Sequence, residues 1–188
     1  MRPHVTNPVA MSVQTGNTAS NLQRPTFRKP NVQDGAAVWK LIKDTGVLDL
    51  NSSYCYLMLS HYLDDTCVLV EGQDSEVVGF ISAFVLPARP DTLFVWQVAV
   101  SETMRGQGIG TAMLQNLLLR PVCQPVRHIE TTVTADNRAS EAMFRRLAAS
   151  LDANLEIRTG FTPDLFPGSG HEHERLISIG PFNPALLS

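Results

Sequence analysis

Apolar residues recur along this chain with two periods, and each change of period marks a change of element. Residues 26–29 alternate and stop at Pro30, which predicts a short strand. Asn31 then precedes Val38, Trp39, Leu41 and Ile42, whose spacing of ~3.6 residues predicts a helix capped by Asn31 and ended by Gly46. A second helix is expected to start near Asn51 or Ser52 and to carry Tyr54, Leu57, Met58 and His61. The β-branched and aromatic runs 67–71 and 77–86 flank Gly72-Gln73-Asp74-Ser75, a hairpin signature, and 92–100 forms another strand after a turn at 87–91. Helical periodicity returns over 111–119, a strand follows at 129–134, and 139–151 is a further helix. Strands at 155–161 and 174–179, around a Gly/Pro loop at 163–170, complete the sheet.

The predicted order is β, α, α, β, β, β, α, β, α, β, β. A three-strand antiparallel start followed by a βαβ crossing gives an α/β fold with a mixed sheet and helices on both faces. One domain spans 26–182, a length that buries a substantial core. Residues 1–25 are rich in Asn, Thr, Ser, Gln and Pro without periodicity and read as a disordered tail, and 183–188 as a short C-terminal tail.

Composition narrows the functional classes. With 44% hydrophobic and 18% charged residues the chain is globular, and no apolar run approaches the ~20 residues of a membrane span. A net charge of −3 with pI near 5.9 lacks the basic surface of a nucleic-acid binder. Cys55, Cys67 and Cys123 lie far apart without Cys-x-x-Cys spacing and read as reduced thiols of a cytoplasmic protein. The tail lacks the apolar core of a secretory signal.

The chemistry centres on Arg105-Gly106-Gln107-Gly108-Ile109-Gly110, which follows the run 95–100 and opens a helix at Thr111. Glycines let the backbone approach an anion, and a helix start supplies unpaired N–H groups and positive dipole. The spacing is too short for a dinucleotide Gly-x-Gly-x-x-Gly, and no lysine follows for a Walker loop. Arg105-x-x-Gly108-x-Gly110 resembles the acetyl-CoA loop of the Gcn5-related N-acetyltransferase (GNAT) superfamily.

That resemblance implies the GNAT acyl-CoA N-acyltransferase fold, a mixed, mostly antiparallel sheet with a central splay. It implies that acetyl-CoA is held by Arg105, Gly106, Gly108, Gly110 and Thr111 and by backbone groups of Val98, Ala99 and Val100 beside the splay. Asn137 and Ser140 match the family's opening of the later helix, which also touches the cofactor. The family's usual tyrosine, seven residues after that Asn, is replaced by Phe144, which cannot protonate a leaving thiolate. Arg145 and Arg146 read as a solvated helix face. His171 and His173 form a His-x-His pair without a third ligand in view, so no metal is expected.

Four runs, 49–54, 94–100, 131–137 and 171–174, together resemble a narrower group, the L-2,4-diaminobutyrate acetyltransferases of ectoine biosynthesis. This implies acetyl transfer to the γ-nitrogen of diaminobutyrate and a homodimer. A diammonium substrate needs an anion for the amine that is not acylated, and Asp49 and Glu174 are the candidates. Tyr54 and Trp96 could wall its carbon chain, and Asn51 or Ser52 could hold its carboxylate. Glu174 or His171 could take the proton of the reacting amine. Strand alternation, however, sends His171 and His173 to one face and Glu172 and Glu174 to the other. Another small diamine or polyamine as acceptor, and a non-catalytic acyl-CoA sensor, are the alternatives.

Overall fold

The computed structural model describes residues 24–168 and 171–187. The tail expected to be disordered therefore lies, except for its last two residues, outside the described residues. The strands are β1 (Thr26–Arg28), β2 (Val68–Glu71), β3 (Val77–Leu86), β4 (Arg89–Val100), β5 (His128–Thr134), β6 (Leu155–Thr159) and β7 (Glu174–Ile179). The helices are α1 (Gly35–Thr45), α2 (Ser53–Tyr62), α3 (Ile109–Leu118) and α4 (Arg138–Ser150), and the chain order of strands and helices is the predicted one.

Local signals explain the ends. Asn31 caps a short 3-10 turn that runs into α1, its side chain accepting from Gln33 N while the Asp34 carboxylate accepts from Asn31 N, a capping box. Gly46 closes α1 in the left-handed conformation. Ser52 caps α2 through a bond from Cys55 N. Asn137 caps α4, accepting from Ser140 N at 3.1 Å.

The strands form one seven-stranded sheet ordered β1-β2-β3-β4-β5-β7-β6. Its antiparallel start has four strands, not three, because β1 pairs with β2 at the edge. The turn expected over 87–91 is tighter, since Leu86 already faces Arg89 and Pro90 lies in β4. Strand β6 stops at Thr159, although Gly160 N still donates to Glu174 O and Glu174 N to Phe161 O, both at 2.9 Å.

Two apolar layers hold the sheet. On one face Val38 and Ile42 of α1 and Tyr56 and Leu59 of α2 pack on Leu69, Phe80 and Ala99. On the other, Met113, Leu114 and Leu117 of α3 and Phe144 and Leu147 of α4 pack on Val70, Ile81, Leu93, Val95 and Ile177. Each fully buried leucine contributes about 1.5–3 kcal/mol relative to exposure. Helices α3 and α4 meet closely at Gly110, where a Cβ would lie 2.5 Å from Met143 Sδ.

Two irregularities of β4 shape the centre of the sheet. Opposite β3 the register moves from Ser82↔Gln97 to Ala83↔Val95, so Trp96 is the extra residue of a bulge. The bulge inverts the alternation. Leu93 and Val95 face the α3/α4 layer, and beyond the bulge that layer receives Val98 and Val100, while Ala99 joins the α1/α2 layer. On the opposite edge, β4 pairs in parallel with β5 only over Thr92–Phe94 against His128–Glu130. Past Phe94, β5 continues against β7 and β4 against β3, which leaves a splay between them.

Asn137→Ala removes the α4 cap and is expected to cost about 0.5–2 kcal/mol, read by urea denaturation. Unchanged stability with weakened CoA binding would assign the side chain to the cofactor instead.

Candidate active site

The splay exposes backbone groups of β4 in a fixed pattern. Ser101 N donates to Val78 O at 2.8 Å, and antiparallel alternation from that pair turns the Ala99 peptide groups toward Phe80. The peptide groups of Val98 and Val100 consequently face the splay. Of the three residues expected there, Val98 and Val100 have the outward geometry and Ala99 is held by β3. The Val100 carbonyl also accepts from Arg105 Nε at 3.3 Å. The Arg105 guanidinium reaches Thr45 O at 3.5 Å, so it clamps the end of β4 to the carbonyl end of α1.

The loop beyond carries two left-handed glycines, Gly106 (φ 75°) and Gly108 (φ 79°), with open space where a Cβ would stand. A side chain there would meet backbone strain and would occupy the volume in front of α3. The first bond of α3 runs from Ala112 N to Gly108 O at 3.0 Å, so the N–H groups of Ile109, Gly110 and Thr111 have no intrahelical acceptor. Backbone donors, helix dipole and empty volume fit a pyrophosphate. Thr111 and Gly110 contribute as backbone, and Gly110 also serves the α3–α4 contact described above.

The acid–base groups gather across the splay from β4, on the β5–β7 side. Glu174 opens β7 opposite Thr134, the last residue of β5. His171 Nε2 lies 3.8 Å from Asp49 Oδ2, and the Phe166 ring stacks on the imidazole at 3.8 Å and 8°. Partial burial raises the Glu174 pKa above its ordinary value; Asp49 and Asp136 push it the same way, while a hydrogen bond from Thr132 and the charge of His171 oppose it. The strand alternation expected to separate His171 from Glu174 is not present. Residues 171–173 precede the strand, His171 lies beside Asp49, and Glu174 feels the charges of both. Glu172 turns instead to Asp136.

The remaining candidates are distributed around this cluster. The Asp49 side chain is 86% exposed, at the rim rather than the floor. Trp96, the bulge residue, is 42% exposed and Tyr54 67% exposed, so both present open ring surface. The Ser52 hydroxyl is committed to capping α2, and Asn51 N donates to Tyr56 Oη at 3.3 Å. Phe144 is buried in the α3/α4 layer. Arg145 pairs with Glu141 one turn away, and Arg146 is exposed, as a solvated helix face requires.

One residue escaped the reading of the sequence. Gln97 is 4% exposed, and its Nε2 donates to Asp49 O at 2.8 Å. A glutamine inside the apolar run 94–100 was the available signal, since a buried amide needs partners.

Other chemistries find less support. Burial pushes the Cys67 thiol up to about 12 and Cys123 up to about 11, so neither is a thiolate nucleophile at neutral pH. Among the described residues no three His, Cys, Asp or Glu side chains are grouped to hold a metal ion, and no helix is long and apolar enough to cross a membrane.

A glycine-rich loop at a helix start, next to a splayed strand, defines an acyl-CoA-dependent acetyltransferase site. The family model described as "Acetyltransferase (GNAT) family" matches residues 36–149, and the chain belongs to that family. Within it, the chain is 47% identical over 156 residues to an L-2,4-diaminobutyric acid acetyltransferase of Shouchella clausii, covering 83% of this chain and 86% of that protein. The relative of the same name from Bordetella parapertussis is 43% identical over 182 residues, covering 97% of each chain. Among solved structures, diaminobutyrate acetyltransferase EctA of Paenibacillus lautus, in complex with L-2,4-diaminobutyric acid and coenzyme A, superposes with a TM-score of 0.82 at 47% identity. It covers 85% of this chain and 96% of that one.

Gly108→Val is expected to abolish coenzyme A binding in calorimetry, because the φ of 79° is strained for a β-branched residue and its side chain fills the anion's space. Wild-type affinity would remove the loop from the site.

Proposed function

We infer that the protein transfers the acetyl group of acetyl-CoA to the γ-nitrogen of L-2,4-diaminobutyrate, a step of ectoine biosynthesis. The observation that carries this reading is the grouping of Asp49, His171 and Glu174 beside the splay that leads to the anion-binding loop.

Acetyl-CoA supplies a thioester that an amine attacks directly. The chain's own residues do the rest. The N–H groups of Ile109, Gly110 and Thr111 hold the pyrophosphate. A peptide N–H of Val98 or Val100 faces the position where the acetyl oxygen gains charge, a donor fixed by the β3 ladder and requiring no reorganisation. Asp49 binds the α-ammonium at the rim, which leaves the γ-nitrogen directed inward. Trp96 and Tyr54 cover the short carbon chain.

The reacting amine must lose a proton, and an alkylammonium titrates near ~10.4 in water. Glu174 accepts it, at its Oε atoms or through a water, and its raised pKa makes it a better acceptor than an ordinary carboxylate. His171, stacked on Phe166, stands beside Asp49 as a second donor and acceptor. Phe144 offers no proton to the departing thiolate, so solvent supplies it.

The active unit is a homodimer in this proposal. Met58 and Tyr62 leave the outer side of α2 apolar and exposed while Tyr56 and Leu59 bury the inner side, which supports a second copy covering it. Sedimentation of the purified protein tests this, and a monomer at micromolar concentration would contradict it. The cytoplasm, where its three free cysteines stay reduced, suits the protein.

Coenzyme A release in the presence of diaminobutyrate, ornithine and lysine tests the acceptor, with diaminobutyrate expected to give the highest kcat/KM. Binding of coenzyme A without turnover of any amine would favour the sensor alternative. Asp49→Ala is expected to raise the diaminobutyrate KM about 10- to 100-fold, the worth of a charge-assisted hydrogen bond of ~1.5–3 kcal/mol; an unchanged KM would exclude Asp49 from the site.

Glu174→Gln is expected to lower kcat about 10²- to 10⁴-fold and to remove the acidic limb of the pH profile. Its effect on stability has the opposite sign. A carboxyl whose folded pKa is raised favours the fold below its unfolded pKa, and that contribution is lost as pH rises through the folded value. Glu174→Gln should accordingly raise Tm relative to wild type at pH 8 and lose that advantage below pH 4. A lower Tm at pH 8 would contradict the assignment of Glu174 as a partly desolvated base.

A further inference from the structure

Gln97 occupies a position that the acetyl-transfer chemistry does not use directly. It follows the bulge at Trp96, where β4 changes phase, and precedes Val98, whose peptide faces the splay. Its side chain is buried on the α1/α2 side of the sheet, where a neutral amide is costly unless both ends are paired. Both are. Nε2 donates to the Asp49 carbonyl at 2.8 Å, and Oε1 accepts from Tyr56 Oη at 3.4 Å. The Tyr56 hydroxyl in turn accepts from Asn51 N at 3.3 Å, and Gln97 N donates to Ser82 Oγ at 3.2 Å. Two side chains thus grip the segment 49–51 at its Asp49 carbonyl and its Asn51 amide. That segment carries no regular secondary structure, and these two bonds fix its backbone to β4 and α2.

We propose that Gln97, with Tyr56, is a positioning residue that registers the amine-binding segment 49–52 against the bulge of β4, so that the Asp49 carboxylate is held at a fixed distance from the acetyl-polarising peptide of Val98. The bulge is what makes this possible. In a regular register Trp96 would stand opposite Ser82 on the α1/α2 side, and alternation would turn Gln97 to the α3/α4 side, away from the segment. The same irregularity therefore presents Trp96 to the substrate and Gln97 to the segment that binds the substrate's far amine. The discrimination between two nitrogens of one short molecule depends on that distance, and a loop free to move would relax it. The proposal rests on the reading of Asp49 as the amine anchor given above.

The test is a double-mutant cycle with an independent probe of the segment. Gln97→Leu should raise the diaminobutyrate KM about tenfold, the equivalent of one lost hydrogen bond, while the acetyl-CoA KM stays within about twofold. In an Asp49→Ala background the same substitution should change the KM less than about twofold, because the residue acts through Asp49. Gln97→Glu keeps the acceptor for Tyr56 but sets a carboxylate against the Asp49 carbonyl, and should reproduce the Leu phenotype. Additive effects, or equal rises in both KM values, would overturn the proposal and leave Gln97 a packing residue. Should Gln97→Leu fail to fold, Tyr56→Phe removes the shared hydroxyl and should show the same KM split in weaker form; an unsplit response would again overturn it. Hydrogen exchange separates this failure from failure of the functional reading. In the protein without substrate, Gln97→Leu should speed exchange of the amides of 49–52 about tenfold and leave β3 and β4 unchanged, whichever amine is the acceptor. Unaltered exchange would exclude the tether even if diaminobutyrate is turned over.

Discussion

The structure depends on one departure from regular pairing, the parting of β4 from β5 after three residues of parallel ladder. Backbone N–H and C=O groups removed from water require partners, and a gap in the middle of a sheet is sustained only where something supplies them. Here the gap lies between a ladder that ends at Phe94 and a helix that starts at Ile109, and in the proposed function the cofactor's arm and its phosphates would complete what the sheet leaves open. The β3–β4 ladder on one side and the β5–β7 ladder on the other keep the edges apart, and the two apolar layers prevent them from closing. Strand pairing and acetyl transfer are two consequences of the same constraint.

Electrostatics at the mouth of the splay follow from which side chains the parted strands admit. Asp49, Asp136 and Glu174 give this end an excess of negative charge with His171 as the near counterweight. Such a field suits a substrate with two ammonium groups and one carboxylate. It also holds Glu174 in a strained protonation balance, favourable for accepting a proton and unfavourable for the stability of the charged form. If Glu174 is the base proposed above, function and stability pull against each other at this residue, as they commonly do in catalytic sites.

The order of elements was legible in the sequence because periodicity and capping are local. Asn31, Ser52 and Asn137 each announce a helix, and the glycine pair at 106 and 108 announces the loop. Pairwise relations between distant segments were less legible. The bulge at Trp96 depends on register against β3, so nothing in the run 94–100 by itself shows that Gln97 and Ala99 change sides. The grouping of His171 with Glu174 was hidden because alternation was extended three residues beyond the start of β7. Ser52 and Asn137, expected to touch ligands, hold helix ends with their side chains, roles that the same residue types fill for purely local reasons. Only the resemblance to diaminobutyrate acetyltransferases joined Asp49 to a site more than a hundred residues further on.

The central claim is that the parted strands present one particular nitrogen to the thioester. The most direct measurement uses acetyl-CoA labelled with ¹³C in the acetyl group and diaminobutyrate, with the product's attachment site assigned by two-dimensional NMR. The account predicts label on the γ-nitrogen alone. Label on the α-nitrogen, or a mixture of the two, would contradict it, because Asp49 would then not be holding the α-ammonium away from the splay.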